Sequence, residues 1–463
     1  MTRRSAADTP GTGLMISALW SALDGSPEWS GKVDILGEGA LPSVFAVSDF
    51  ATAAVATAGL ALSEWVHARS GQVQPVAVNR RLASLWFGFT IAPQGWALPP
   101  AWDAVAGDYA CKDGWIRLHT NAPHHRDAAL RVLDVEADRA AAAARVAGWN
   151  GDELEAAIVA AGGCAAVMRS RREWAQHPQG RAVLSEPVMG MEAGGKAAAF
   201  DAAFDPSRPL AGIRVLDLTR VLAGPVATRF LAGFGADVLR IDPPTWAEPG
   251  VVPEVTPGKR CARLDLKTAA GLEQFKALLA GADVLVQGYR ADALDALGLG
   301  ADVRAALRPG LLDVSLNAYG WSGPWLNRRG FDSLVQMSCG LAEAGIQAGG
   351  AGQPVPLPVQ ALDHGAGYLM AAAALRGLSL RQTKRIGSRW RTSLARVGGF
   401  LSDWPQTPEE VQIGKPLDAD YADQIEITDW GPAARLCSPL MLGETMMAWD
   451  RPAGDLGTSA PAW

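Results

Sequence analysis

From Leu210 onward, short apolar runs alternate with longer amphipathic stretches. GIRVLDLT reads as a strand, VLAGPVATRFLAGFGA as a loop and helix, and ADVLRIDPP as a second strand ending at Asp242. The alternation repeats through CARLDLK (261–267), TAAGLEQFKALLAGA, DVLVQGY (283–289), ALDALGLGADVRAAL and LLDVSLNAYG (311–320). Strand–helix alternation of this length predicts an α/β fold whose large domain, 209–463, is a doubly wound, Rossmann-like parallel sheet. Residues 1–195 have another texture, mostly helical with short strands, and are expected to hold a smaller α+β domain. DYACKDGWIRLHT (108–120) predicts a hairpin, residues 125–147 a helix, and Gly151 opens another helix that Gly162-Gly163 ends. The stretch 192–209 is small, polar and Pro-ended, and 196–208 is the predicted linker.

Two Ala-rich apolar stretches each begin with an aspartate. LDHGAGYLMAAAALRGL (362–378) sets Asp363 at the mouth of a helix with Gly365 and Gly367 behind it. The free N–H groups of a helix start hold a carboxylate anionic, and glycines leave room for another molecule. A carboxylate nucleophile fits this pattern, and so does a simple helix cap. DFATAAVATAGLALSEW places Asp49 in the same position, and each helix is followed by a basic, Gly-containing link, HARSGQ or TKRIGSRW. An internal duplication is expected from this likeness. The apolar run 44–62 carries Asp49, Thr and Ser, which predicts a buried helix rather than a membrane span.

The chain of 463 residues is 49% hydrophobic and carries a net charge of −6. It has no long basic run, so nucleic acid is not an expected partner. Arg171-Arg172 and Arg328-Arg329 read as solvated faces. The five cysteines are widely spaced without a C-x-x-C pair, which predicts neither zinc nor disulfides and fits a reducing cytoplasm. No H-E-x-x-H spacing occurs, and His124-His125 reads as a surface loop, so no metal is expected. The N-terminal residues show no signal-peptide pattern. The first strand–helix turn, TRVLAGPVATR, lacks G-x-G-x-x-G, so an NAD site is not expected either.

Five ordered blocks carry a resemblance. PLAGIRVLDLTRVLAGPVATRFLAGFGADVLRID, PGKRCARLDLKTAAG (257–271), ADVLVQGYRADALDALGLG (282–300), LLDVSLNAYGWSGPWLNRRGFDSLVQMSCGL (311–341) and LDHGAGYLMAAAAL resemble, in order, the class III CoA-transferase family of formyl-CoA and carnitine CoA-transferase type. WGPAARLCSPLMLGET (430–445) is similar to the family's C-terminal end. The small domain that ordinarily follows the Asp helix has no room after residue 400, whereas residues 40–190 are similar to that missing half. The resemblance therefore implies a permuted or fused arrangement, and it favours Asp363 over Asp49 as the reacting carboxylate.

The resemblance further implies coenzyme A, as acyl-CoA, and a free carboxylic acid as substrates, with a homodimer, interlinked in the family, as the assembly. Val221, Leu222 and Ala223 match the loop that meets CoA through its backbone, Tyr289 the adenine side, and Lys259, Arg260 and Arg329 candidate phosphate contacts. The implied reaction passes through an acyl–aspartyl anhydride and an aspartyl-CoA thioester, with Gly365 and Gly367 exposing backbone N–H groups to the oxyanion. An acyl-CoA racemase or isomerase on the same fold is the alternative, but Phe331 stands where racemase members keep a histidine. A catalytically silent CoA-binding protein is the other.

Overall fold

The computed structural model describes all residues except 1–2, 7–8, 351 and 408–410. The labelled elements, in chain order, begin with strand β1 (Val33–Leu36), helix α1 (Val47–Ser70), strand β2 (Val76–Asn79), helix α2 (Arg80–Leu85) and helix α3 (Pro123–Leu133). Strand β3 (Gly190–Lys196), strand β4 (Arg214–Leu218), helix α4 (Ala223–Gly233), and strands β5 (Asp237–Asp242), β6 (Lys259–Arg263), β7 (Val284–Gln287) and β8 (Leu312–Asn317) follow. Helices α5 (Asp332–Ser338) and α6 (Ala361–Lys384), strand β9 (Ile386–Ser393), helix α7 (Leu394–Ser402) and strand β10 (Leu440–Leu442) complete the set.

Seven strands form the main sheet in the order β6-β5-β4-β7-β8-β9-β3. All neighbours are parallel except the edge pair β9 and β3. Strand order reverses between β4 and β7, so a crevice opens there beyond the carboxyl ends of the strands. The fold is thus α/β with a doubly wound, Rossmann-like sheet. Its central strands β7 and β8 are buried throughout, as continuous apolar runs in a parallel sheet must be.

A five-stranded sheet lies in the other half and contains β1, β2 and β10. The two halves exchange strands. Strand β3, N-terminal to the linker segment, closes the edge of the main sheet, and β10, from the C-terminal region, pairs with β2. Residues 192–196 of the predicted linker stretch are therefore sheet. A hairpin, Gly107–Cys111 with Gly114–Leu118, joins Ala165–Val167 in a small α+β domain. The helix expected over 125–147 is split into α3 and Arg139–Val146, because Asp134 adopts a left-handed conformation that ends the first.

The molecule is built around the pair α1 and α6, each 24 residues long. Both are buried along nearly their whole length, and small residues let them approach closely. A Cβ on Gly365 would lie 2.2 Å from the Phe50 ring, and one on Gly367 2.5 Å from the Ala223 carbonyl. The two glycines are therefore helix-packing positions, used against α1 and α4, not openings for a ligand.

Candidate active site

A cavity of about 1150 Å³ opens at the carboxyl ends of the parallel strands. Thr219–Gly224 follow β4, Asp242–Ala247 close β5, Leu264–Lys267 follow β6, Gly288–Arg290 follow β7, and Leu316–Ala318 close β8. Leu394 comes from the start of α7, Arg328–Phe331 from the loop before α5, and Ala122–His125 with Asp127 from the small domain. Asp363 also lines it.

Asp363 is the third residue of α6 and is 9% exposed. Its side chain accepts no hydrogen bond and forms no ion pair among the described residues. The helix start is capped by another residue. The Asp332 carboxylate accepts the N–H groups of Leu362 and Asp363, both at 2.9 Å, and a third hydrogen bond from Gln336. The expected anion-holding cap on Asp363 is corrected accordingly, since Asp332 takes those donors. Burial and the neighbouring Asp332 charge push the Asp363 carboxyl well above the usual carboxylate range. Asp332, itself fully enclosed, is pushed up to about 6 by burial against the pull of its three donors. The pair resembles two carboxylates forced to share one site, in which the better hydrogen-bonded member carries the charge.

Asp49 is in the same helical position but in a different environment. Arg80 Nη1 meets its Oδ1 at 2.8 Å, and Thr12 donates to the same oxygen. Asp49 does not line the cavity.

Val221, Leu222 and Ala223 form the loop between β4 and α4 and line the cavity, as does Tyr289. Val221 has φ 64°, a conformation that a β-branched residue adopts at a cost of about 1–3 kcal/mol. Its N–H donates to Glu248 Oε2 at 2.9 Å, which helps to hold the loop. The N-terminus of α4 thereby faces the cavity at the switch point, where helix N–H groups favour an anion. Tyr289 is held by Arg220, whose guanidinium donates to the Tyr289 hydroxyl at 3.0 Å and lies over the Trp246 ring at 4.5 Å.

Among the candidate phosphate contacts, Arg329 is exposed, unpaired among the described residues, and in the cavity wall. Lys259 and Arg260 are not in that wall. The Lys259 ammonium is buried against Asp217 at 3.1 Å, and Arg260 is bound to Asp237 at 2.8 Å. Lys267 and Arg290, which the sequence reading passed over, supply cations at the ends of β6 and β7. A signal for them existed in their position just after apolar strand runs.

The Arg328-Arg329 pair is not one solvated face. Arg328 is half-buried, bonded to Glu155 at 3.0 Å and lying 3.9 Å over the Trp325 ring. His124-His125 is not a surface loop, for it begins α3 and His125 is buried in the cavity wall. His364, beside Asp363, is turned away from the cavity and stacks on Phe87 at 5.4 Å. No helix among the described residues is long and apolar enough to cross a membrane.

Residues 210–408 match the sequence profile of CoA-transferase family III. This segment belongs to CoA-transferase family III. A probable fatty acyl-CoA transferase of Mycobacterium tuberculosis is 34% identical over 195 residues, which cover 38% of this chain and 48% of that protein. The succinyl-CoA:glutarate CoA-transferase of Mus musculus is 33% identical over 243 residues, covering 50% of this chain and 52% of that protein. The chain spans about half the length of these two relatives. A crystal structure of a hypothetical protein from Mycobacterium tuberculosis aligns with a TM-score of 0.38 at 31% identity, over 43% of this chain and 58% of that one.

Proposed function

We propose that the protein is a CoA-transferase that moves CoA between carboxylic acids, with Asp363 as the covalent nucleophile. One observation carries the reading. A buried carboxylate without a partner faces a large cavity at the strand ends of a family III segment. Relatives named for transfer of CoA between acids support the reaction class.

In this reading the acyl-CoA nucleotide lies along the strand ends, near Tyr289, Lys267, Arg290 and Arg329, and the thioester reaches Asp363. A carboxylate oxygen of Asp363 attacks the thioester carbonyl carbon, the C–S bond breaks, and CoA leaves as thiolate. The acyl–aspartyl anhydride is then attacked by the thiolate at the aspartyl carbon, releasing the first acid and leaving an aspartyl-CoA thioester. The acceptor carboxylate attacks that thioester and again expels the thiolate. Thiolate attack on the acceptor's acyl carbon gives the new acyl-CoA and restores Asp363. Enclosure protects the anhydride from water. The raised Asp363 carboxyl must first lose its proton, so reactivity rises with pH above the ordinary carboxylate range.

The test is CoA exchange between an acyl-CoA and a free acid, for the intact chain and for Asp363→Ala and Asp363→Asn. Both variants are expected to lose exchange, and exchange retained in both overturns the assignment. Deuterium uptake at the acyl α-carbon without CoA exchange would instead favour the racemase chemistry.

A further inference from the structure

We propose that Glu248, which does not itself line the cavity, is a positioning residue for CoA: its carboxylate imposes the left-handed backbone of Val221 and so holds the loop between β4 and α4 in its binding shape. The inference rests on the CoA-transfer reading and adds to it a residue that lies between the first two family-like blocks, in neither of them.

Four described residues other than glycine have a positive φ: Asp24, Asp134, Val221 and Arg385. Asp24, Asp134 and Arg385 stand at or just beyond helix ends, where a left-handed residue closes the last turn. Val221 follows a strand instead, lines the cavity, and is the one β-branched member of the four, the side chain that tolerates this conformation least. Such a backbone persists only where its surroundings over-determine it, and this happens chiefly at ligand-binding sites. The contact that determines it here is the Val221 N–H donated to Glu248 Oε2 at 2.9 Å.

That carboxylate is anchored in the sheet rather than in the loop. Arg240, fully buried on β5 and tied to Asp242 at 2.8 Å, donates to Glu248 Oε1, and Trp246 Nε1 donates to Oε2 at 3.0 Å. The residues that follow Val221 face the ligand. Leu222, Ala223 and Gly224 line the cavity, and the start of α4 has no side-chain cap. The Ala223 carbonyl also lies against Gly367, one helical turn beyond Asp363. A Val221 relaxed to negative φ re-aims the peptide groups at the start of α4, so the binding-competent fraction of the protein falls, and CoA affinity falls with it. Removing a negative charge near a polyanionic ligand would by itself tighten binding, so weaker binding reports the lost backbone geometry and not the lost charge.

CoA affinity is measured by titration calorimetry, with urea unfolding alongside, for Glu248→Ala and Glu248→Gln, each with Val221 intact and each combined with Val221→Gly. With Val221 intact, Glu248→Ala is expected to weaken CoA binding by roughly tenfold. Glu248→Gln is expected to weaken it less, since the amide keeps one acceptor oxygen. Glycine adopts a positive φ without being held there, so in the Val221→Gly background Glu248→Ala should cost no more than about threefold. Equal losses in the two backgrounds overturn the proposal. So does a CoA affinity that is unchanged or tighter in both Glu248 variants, because Glu248 would then serve stability alone. If Glu248→Ala does not fold, the Glu248→Gln pair gives the same comparison. Failure of the intact chain to bind CoA at all is a different result, since it removes the transfer reading and this inference with it.

Discussion

The α1 and α6 units are two versions of one scaffold with opposite fates for their aspartates. Each places its aspartate third in a 24-residue buried helix. The residues just before the two helices have nearly the same backbone angles, φ −72° and ψ 59° at Ala46 against φ −76° and ψ 63° at Gln360. Each helix ends on a left-handed residue, Gly71 or Arg385, and runs into a strand. Each of those strands, β2 and β9, has a parallel neighbour on one side and an antiparallel one on the other. Each strand leads to a side-chain-capped helix, α2 after Asn79 and α7 after Ser393. The first residue after the cap then differs. Arg80 pairs with Asp49, whereas Leu394 lines the cavity that contains Asp363. One aspartate is neutralised by a guanidinium and the other is left alone beside a second carboxylate. The scaffold sets where each carboxylate stands, and its neighbours differ, with Arg80 and Thr12 on Asp49 and the Asp332 charge beside Asp363.

The largest effect expected from breaking this contrast is loss of exchange in Asp363→Asn, on the order of a thousandfold or more in kcat, with Asp49→Asn staying within a few-fold. Next, Leu394→Arg copies the α1 arrangement onto α6 and is expected to lower kcat/KM by roughly a hundredfold, the scale of losing an anionic nucleophile to an ion pair. Its mirror, Arg80→Leu, leaves Asp49 without its guanidinium and is expected to cost about 3 kcal/mol in urea unfolding, with little change in kcat per folded molecule. Smaller again, Gly367→Ala presses a methyl on the Ala223 carbonyl and is expected to cost about 1–3 kcal/mol and to weaken CoA binding by shifting α4. The finest test is Asp332→Asn. Removing that negative charge lowers the Asp363 pKa, so the rising limb of the pH–rate profile moves to lower pH.

Stability follows the same sign. A carboxyl whose folded pKa lies above its unfolded value favours the folded state below the unfolded pKa, and that advantage is lost as pH rises toward the folded one. Asp363→Asn is therefore expected to be more heat-stable than the intact chain at neutral pH, measured by thermal unfolding, as happens when a group strained for chemistry is removed.

The alternating elements from Leu210 to Asn317 were legible because a parallel sheet buries continuous apolar strands and its crossover helices are amphipathic. The likeness of the Asp49 and Asp363 helices could also be read from spacing. The strand exchange could not, since β3 is the polar, Gly-rich GMEAGGK, an exposed edge without the alternation that marks a half-buried strand. Gly365 and Gly367 misled because room for a ligand and room for a neighbouring helix have the same sequence signature. Asp332 was hidden in plain view within GFD, its role depending on a helix start 31 residues away. His125 looked like a surface residue because nothing local to Pro123–Leu133 reveals that α3 begins at a cavity wall.

Asp363, and not Asp49, is expected to take the acyl group. The most direct measurement incubates the protein with an acyl-CoA, traps with hydroxylamine, and maps the modified peptide by mass spectrometry. A hydroxamate on the peptide carrying Asp363, absent from the one carrying Asp49, is the predicted result. Modification at Asp49, or turnover with neither aspartate modified, would contradict the account.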